Sequence, residues 1–340
     1  MLRLLLLLLV APSSVLTRPT LSLASQVIYQ LYDGSATENA AAASSTSAVN
    51  LVYQFDSARL ENLAACSDGQ LLLTAVNEPS VYIIDPTKSG GKPKLLHTFP
   101  NATGMTGIVE TAPNIFAVVA GNWSVATLTP VQGSFSIWSI DCNSNNPTVK
   151  KIASMPEAGG LNEVASLTES PDIVLIADSV LGSVWRLSMS TGNYSVAIQN
   201  PLFSSCQSPA PLGINGINVF EGMLYFMNSA QKFYGRIAIT SDGSAAGEVQ
   251  VLSRITNGIY DDFAMTWSGN AWIATHPNLL VEVTVEGKHR NITTGSPNME
   301  QPTSVVFGRS SKQQERTLYI TASGSKTVAG QLWSVDTGMV

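Results

Sequence analysis

The sequence predicts an all-β protein: a six-bladed β-propeller of four-stranded blades, the last blade closed by an N-terminal strand. Three observations carry this expectation. A unit of about 50 residues returns six times, the spacing of a propeller blade. Its third strand keeps a common wording: Ser80-Val-Tyr-Ile-Ile-Asp85, Ser136-Ile-Trp-Ser-Ile-Asp141, Ser183-Val-Trp-Arg-Leu-Ser188, Tyr234-Gly-Arg-Ile-Ala-Ile239, Leu280-Val-Glu-Val-Thr284 and Gln331-Leu-Trp-Ser-Val-Asp336. The strands are short, β-branched and aromatic, with turns such as Ser67-Asp68-Gly69, Ser241-Asp242-Gly243 and Ser268-Gly269-Asn270 between them. No amphipathic helical stretch exceeds about two turns.

Residues 1–17 read as a signal peptide. Arg3 is the positive start, a leucine run follows, and small and polar residues extend from Ala11 to Thr17, with cleavage expected between Ser13 and Arg18. The apolar run is too short for a stable membrane span. The other reading is an uncleaved anchor. Residues 18–49 form an N-terminal extension, with Gln26–Leu31 as an outer strand and an Ala/Ser/Thr-rich loop from Asp33 to Ala48. The propeller is expected over residues 50–340. Blade one opens at Arg59, with Gln70–Ala75 as its second strand and Lys94–Phe99 as its fourth. The following blades open at Gly104, Gly160, Gly213, Tyr260 and Gln301. Blade six runs out of chain after its third strand. Asn50–Phe55 supplies the fourth and removes an edge that would template aggregation.

Composition narrows the function classes. Apolar residues are 44% and charged residues 12% of the chain, enough for a large core and against global disorder. A net charge of −6 lacks the basic face that nucleic-acid binding requires. No later segment is long and apolar enough for a transmembrane helix. The signal peptide and the sequons at Asn101, Asn122, Asn193 and Asn291 point to a secreted glycoprotein. Three cysteines permit at most one internal bridge in that compartment. Cys142 and Cys206, each in a link between blades, are the candidate pair, and Cys66 ends an inner strand as a buried thiol. The other outcome is three free thiols.

In a propeller the innermost strands line one axis, so equivalent positions of different blades meet. Those strands start with Glu61, Thr106, Asn162, Asn215, Asp261 and Thr303. The loops between second and third strands add Asn77, Trp123, Asp178, Asn228, His276 and Ser323. These twelve positions are expected to form the floor and wall of one pocket. Polar residues at strand starts also serve simply to cap backbone groups. His276 is the one histidine expected on this face, as an acid or base near neutral pH or as a hydrogen-bonding loop residue. Met105, Trp123, Tyr260 and Phe263 break the repeat near the pocket mouth. They either make an apolar wall suited to a hydrocarbon ligand or pack in the core. Trp138, Trp185 and Trp333 recur at one repeat position and are assigned to packing between blades. No serine-hydrolase elbow, phosphate loop, His-Glu-x-x-His or Cys-x-x-Cys motif occurs.

The repeats, together with Glu61, Asn162, Asn215 and Asp261, resemble the SMP-30/gluconolactonase-like propellers. That resemblance implies a divalent metal at the axis, held by these same four residues, with all-oxygen ligands suited to Ca²⁺. Two positions depart from the lactonase pattern: Asn62-Leu63-Ala64 follows Glu61, and Asp262-Phe263 follows Asp261. The wording Glu61-Asn62-Leu63-Ala64, Ala177-Asp-Ser-x-x-Gly-Ser-Val-Trp185 and Asp261-Asp262-Phe263-Ala264 is similar to a secreted fungal branch that includes the hetero-Diels–Alderases of tropolone–sesquiterpenoid biosynthesis.

The branch resemblance implies a cofactor-independent, metal-independent enzyme joining a tropolone-derived o-quinone methide to a humulene-type terpene. By their positions in the ring, Glu61, Asp261 and His276 are the candidate acid–base groups for such a reaction. Asn77, Met105, Thr106, Trp123, Asn162, Asp178, Asn215, Asn228, Tyr260, Phe263, Thr303 and Ser323 would surround the substrates. Two other readings stand beside it: a metal-dependent lactonase or esterase, and a non-catalytic extracellular propeller that binds a ligand.

Overall fold

The structure, a computed structural model, describes residues 49–338 except 125, 126, 128, 145, 207–211 and 294–297. The expected signal peptide, the outer strand at 26–31 and the loop at 33–48 lie outside the described residues. Among the described residues twenty-four strands, β1–β24 in chain order, pair into six four-stranded antiparallel sheets. These are the six blades. Their innermost strands are β2 (Leu60–Ala65), β6 (Gly104–Ala112), β10 (Leu161–Ser166), β14 (Ile214–Phe220), β18 (Ile259–Met265) and β22 (Pro302–Phe307). We call the face where these strands begin the top and the face where they end the bottom. Helical structure among the described residues is a 3₁₀ turn at Pro201–Phe203 and one turn of α-helix at Lys312–Glu315. No described helix is long and apolar enough to cross a membrane.

Blade six closes as expected. Its sheet has the order β1-β24-β23-β22, with β1 (Val49–Gln54) running antiparallel to β24 (Gln331–Asp336). A register shift between Leu51 and Tyr53 repeats the one at the outer pairings of blades one to four, so β1 pairs as the other fourth strands do. The Gln54 side chain donates to the Ala329 carbonyl at 2.8 Å and accepts from Gln331 at 2.9 Å, pinning this register.

The core is six seams, one between each pair of neighbouring blades, each filled by its own hydrophobic cluster. Trp138, Trp185 and Trp333 lie in the seams between blades one and two, two and three, and five and six. Each satisfies its indole N–H on a polar residue of its own blade: Ser136, Asp178 or Gln331. An aromatic ring that buries its body and keeps its one donor paired adds packing without a desolvation cost.

The Cys142–Cys206 bridge does not form, and all three cysteines are free thiols. The two residues serve different seams. Cys142 packs against the cluster containing Cys66, between blades one and two. Cys206 follows the 3₁₀ turn after blade three, where its sulfur meets Ser204 and Gln231. Cys66 is buried at the end of β2, and burial pushes its thiol up to about 12.

The N-terminal closure carries a test. A chain starting at Ser47 keeps β1 and is expected to unfold in one cooperative step. A chain starting at Asp56 leaves β24 unpaired and is expected to melt lower and to aggregate. Thermal unfolding and light scattering compare the two.

Candidate functional site

The site is built by one irregularity repeated six times. In every blade the innermost strand holds one residue more than its partner: Leu60 and Leu63 pair with Ala75 and Leu73, and Leu161 and Val164 with Asp178 and Ile176. The same shift occurs at Met105/Ile108, Ile214/Ile217, Tyr260/Phe263 and Pro302/Ser304. A bulge leaves its extra residue outside the ladder and bends the strand. In blades one to five the positions outside the ladder are the strand-start residues of the sequence analysis together with their successors; in blade six only Thr303 is left out, and Ser304 pairs with Thr321.

Two stacked layers result. The upper holds Glu61, Thr106, Asn162, Asn215, Asp261 and Thr303. The lower holds Asn62, Gly107, Glu163, Gly216 and Asp262, with Ser304 completing it. The lower side chains fold back on backbone donors freed by the bulge: Asn62 Oδ1 accepts from Leu63 N–H at 2.6 Å and Glu163 Oε1 from Val164 N–H at 2.8 Å. The two glycines make room for the acids. A Cβ at Gly107 would stand 2.8 Å from Glu163 Oε1, and one at Gly216 would stand 2.7 Å from Asp262 Oδ1.

In the upper layer the structure joins Asn215, Asp261 and His276. Asp261 Oδ1 accepts from Asn215 Nδ2 at 2.6 Å, and its Oδ2 lies 2.8 Å from His276 Nε2, with all three residues buried. Asn215 Nδ2 also donates to Ser229, whose hydroxyl donates to the Tyr260 carbonyl. Glu61 Oε2 is buried and finds no hydrogen-bond partner in the protein. Burial pushes the Glu61 carboxyl well above its ordinary range, and the charges of Asp261 and Asp262 push the same way against Arg59. Asn162 is buried as well.

The lower layer was not singled out from the sequence. Asn62 Nδ2 donates to Glu163 Oε2 and, at 3.3 Å, to Asp262 Oδ2, and the Ser304 hydroxyl donates to Asp262 Oδ2 at 2.5 Å. Blades one, three, five and six are thus clasped across the axis. Burial raises Glu163 well above the carboxylate range, with the Asp262 charge second. Burial lifts Asp262 to about 7, against the hydrogen bond from Ser304.

Other expected pocket residues are placed elsewhere. Asp178 is fully buried and accepts from the backbone N–H groups of Gly159, Gly160, Val180 and Leu181 and from the Trp185 indole, so it braces its loop. Asn228 is equally buried and donates to the Leu202 and Ser204 carbonyls. Asn77 caps Arg59 N–H and the Ser57 carbonyl. Thr106 and Thr303 donate to the Leu161 and Leu60 carbonyls, tying each blade to the next. Met105, Trp123, Tyr260 and Phe263 are core residues of the seams, the Phe263 ring meeting Tyr234 edge-on. Ser323 is buried.

The apolar surface on the top face comes from residues the sequence analysis passed over. Val131, Val180 and Leu181 are exposed. Val180, Leu181 and Pro130 stand directly over Gly159 and Gly160, the two residues before β10 and hence before Asn162. An exposed apolar group beside a polar floor is the usual form of a ligand-contacting rim.

The divalent ion implied by the resemblance needs Glu61, Asn162, Asn215 and Asp261 as oxygen ligands. Both Asp261 oxygens are occupied by Asn215 and His276, and Asn215 presents its amide N–H rather than its carbonyl. Among the described residues no three Asp, Glu, His or Cys side chains converge as a metal cage. The donors in this arrangement do not fit the ion.

The buried acids set a pH dependence. Asp262 titrates at its ordinary 3.8 when unfolded and at about 7 when folded. Its contribution to stability is fully present below its unfolded pKa and is lost as pH rises through its folded one. Between about pH 5 and about pH 8 the wild-type chain is expected to lose on the order of a few kcal/mol that Asp262→Asn does not lose. Denaturant unfolding of both proteins at the two pH values measures the difference, and equal slopes would refute it.

Comparisons place these residues in context. No family model matches the chain. A protein from Phoma sp described as a "Putative hetero-Diels-Alderase" is 26% identical over 293 residues, covering 78% of this chain and 83% of its own length. A relative from Sarocladium schorii with the same description is 25% identical over 301 residues, covering 77% of this chain and 74% of its own. Among solved structures, the calcium-binding protein regucalcin from Agrobacterium tumefaciens superposes with a TM-score of 0.64 at 12% identity, over 85% of this chain and 94% of its own. A structure described as a "putative gluconolactonase" gives 0.60 at 14% identity, over 86% and 93%. The chain is thus similar in sequence to proteins described as hetero-Diels–Alderases and similar in fold to regucalcin- and gluconolactonase-like six-bladed propellers.

Proposed function

We propose that the protein is a secreted pericyclase, joining a tropolone-derived o-quinone methide to a humulene-type sesquiterpene by an intermolecular hetero-Diels–Alder cycloaddition in meroterpenoid biosynthesis. The sequence similarity to the two described relatives supports the reaction class. The observation that carries the reading is Glu61: a half-buried carboxyl beside the buried Asp261–His276 pair, pushed by burial toward its protonated form. A cycloaddition moves no electrons to or from an outside acceptor and needs no redox cofactor. It needs two partners held in a reactive pose, which removes up to roughly 7–11 kcal/mol of barrier.

The roles follow from the positions. The tropolone ring lies over the upper polar layer, where the Glu61 hydroxyl donates to its oxygen and makes the quinone methide more electrophilic. The terpene lies against Pro130, Val131, Val180 and Leu181. If the tropolone arrives as its hydroxymethyl precursor, Glu61 protonates the departing hydroxyl and His276 takes the ring hydroxyl proton. The C–O bond breaks, water leaves, and the o-quinone methide remains. Asp261 orients His276 and stabilises its positive form. The proton gained by His276 balances the one lost by Glu61 and returns to Glu61 before its hydroxyl donates to the quinone methide.

The lactonase reading calls for a cation at the upper layer, and those donors are already committed to one another. Two substitutions separate acid from hydrogen-bond donor. Glu61→Gln keeps a donor and loses the proton. It is expected to slow reaction of the hydroxymethyl precursor about 100-fold or more, while changing reaction of a preformed o-quinone methide less than about tenfold. Glu61→Ala is expected to slow both. Product formation and diastereomer ratio by chromatography report each rate. Unchanged rates and stereochemistry in both variants would overturn the role of Glu61.

A further inference from the structure

The top-face site is divided by character. Its acid–base groups stand on blades one and five: Glu61 on β2, Asp261 on β18 (Ile259–Met265) and His276 at the end of β19 (Ala271–His276). Its apolar rim stands on blades two and three. Pro130 and Val131 lie between β7 and β8, and Val180 and Leu181 between β11 and β12. Arg59 adds a permanent positive charge on the polar side.

Arg59 immediately precedes β2, two residues before Glu61. Leu60, between them, is fully buried in the seam of blades one and six, whereas Arg59 and Glu61 are both half-buried. Alternation along the strand therefore sends Arg59 and Glu61 to the same side, away from the seam. The backbone here is fixed at both polar groups: Arg59 N–H donates to Asn77 Oδ1 at 2.7 Å, and the Arg59 carbonyl accepts from Val76 N–H at 2.9 Å. The side chain crosses to blade six. Its Nη2 donates at 3.2 Å to the Gly324 carbonyl, in the loop between β23 and β24. Its charge is close enough to act on the Glu61 carboxyl, opposing the upward push of burial.

We propose that Arg59 selects and orients the oxygenated partner of the reaction, its guanidinium fork taking the two neighbouring oxygens of the tropolone ring. This role rests on the reaction proposed above. A guanidinium carries five N–H donors in one plane, enough to hold a loop carbonyl and a ligand together. Its fork matches two oxygens set side by side on a planar ring, as it matches a carboxylate. The charge makes such hydrogen bonds stronger than those from a neutral donor. The hydrocarbon of the terpene gains nothing from this group and goes to the apolar rim on blades two and three. The two partners are thereby sorted to different sides of the channel before any bond forms.

Calorimetric titration of the full chain with tropolone and with tropone, which lacks the second oxygen, tests this role. The wild type is expected to bind tropolone at least about tenfold more tightly than tropone. Arg59→Gln is expected to weaken tropolone at least about tenfold and tropone less than about threefold, so that most of the preference is lost. A residue that merely ties blade one to blade six would weaken both ligands alike. Arg59→Lys keeps the charge without the fork and is expected to show a preference between those of the other two proteins. In turnover, Arg59→Gln is expected to raise the KM for the hydroxymethyl tropolone at least about tenfold and the KM for the terpene less than about threefold. Circular dichroism checks the folding of both variants. Equal wild-type affinity for the two compounds, a parallel loss of both in Arg59→Gln, or an unchanged preference in either variant would overturn the role of Arg59 while leaving tropolone as a ligand. No saturable binding of tropolone by the wild type would overturn the substrate reading itself, and this role with it.

Discussion

Each inner strand carries one extra residue at the same height, and the chemistry of the axis depends on it. A regular strand sends alternate side chains to opposite faces, so one residue per blade would reach the channel at this level. The bulge turns two consecutive residues inward. It also frees backbone N–H groups, which Asn62 and Glu163 take up with their own side chains. The result is a double layer of polar groups, stiffened by contacts that run from blade to blade.

That layering concentrates four carboxyls, Glu61, Glu163, Asp261 and Asp262, where water is scarce. The chain answers this charge in two ways. Asp261 is matched by donors, Asn215 and His276. Burial pushes the Glu61 and Glu163 carboxyls well above their ordinary range, because it disfavours their charged forms. A protonated carboxyl in an apolar setting is a strong hydrogen-bond donor, which suits polarising a carbonyl-like oxygen without a metal. The six apolar seams hold these groups in place, so little reorganisation is needed when a substrate arrives.

The clasp formed by Asn62, Glu163, Asp262 and Ser304 also divides the channel. Above it lie the acid–base residues and the rim of Pro130, Val131, Val180 and Leu181. Below it lies a cavity walled by the ends of the inner strands. One set of side chains therefore serves as the floor of one compartment and the ceiling of another, and a charge change in it is felt on both sides.

Periodicity was enough to read six blades, the strand order and the N-terminal closure from the sequence, because the blade repeat and the alternation within strands are local patterns. It also located Glu61, Asn215 and Asp261 at equivalent heights, and His276 beside them. The lower layer escaped, because alternation directs the residue after a channel-facing one away from the axis, and only the paired backbone reveals the bulge. Asp178 and Asn228 looked like pocket residues for the converse reason: their loops adjoin the channel, yet nearby backbone groups claim their side chains. The seam that each cysteine enters and the raised acidity constants likewise depend on packing between blades. The repeat thus determined which residues could meet at one axis, and the three-dimensional pairing alone decided which way each side chain turned and whether its charge found a partner.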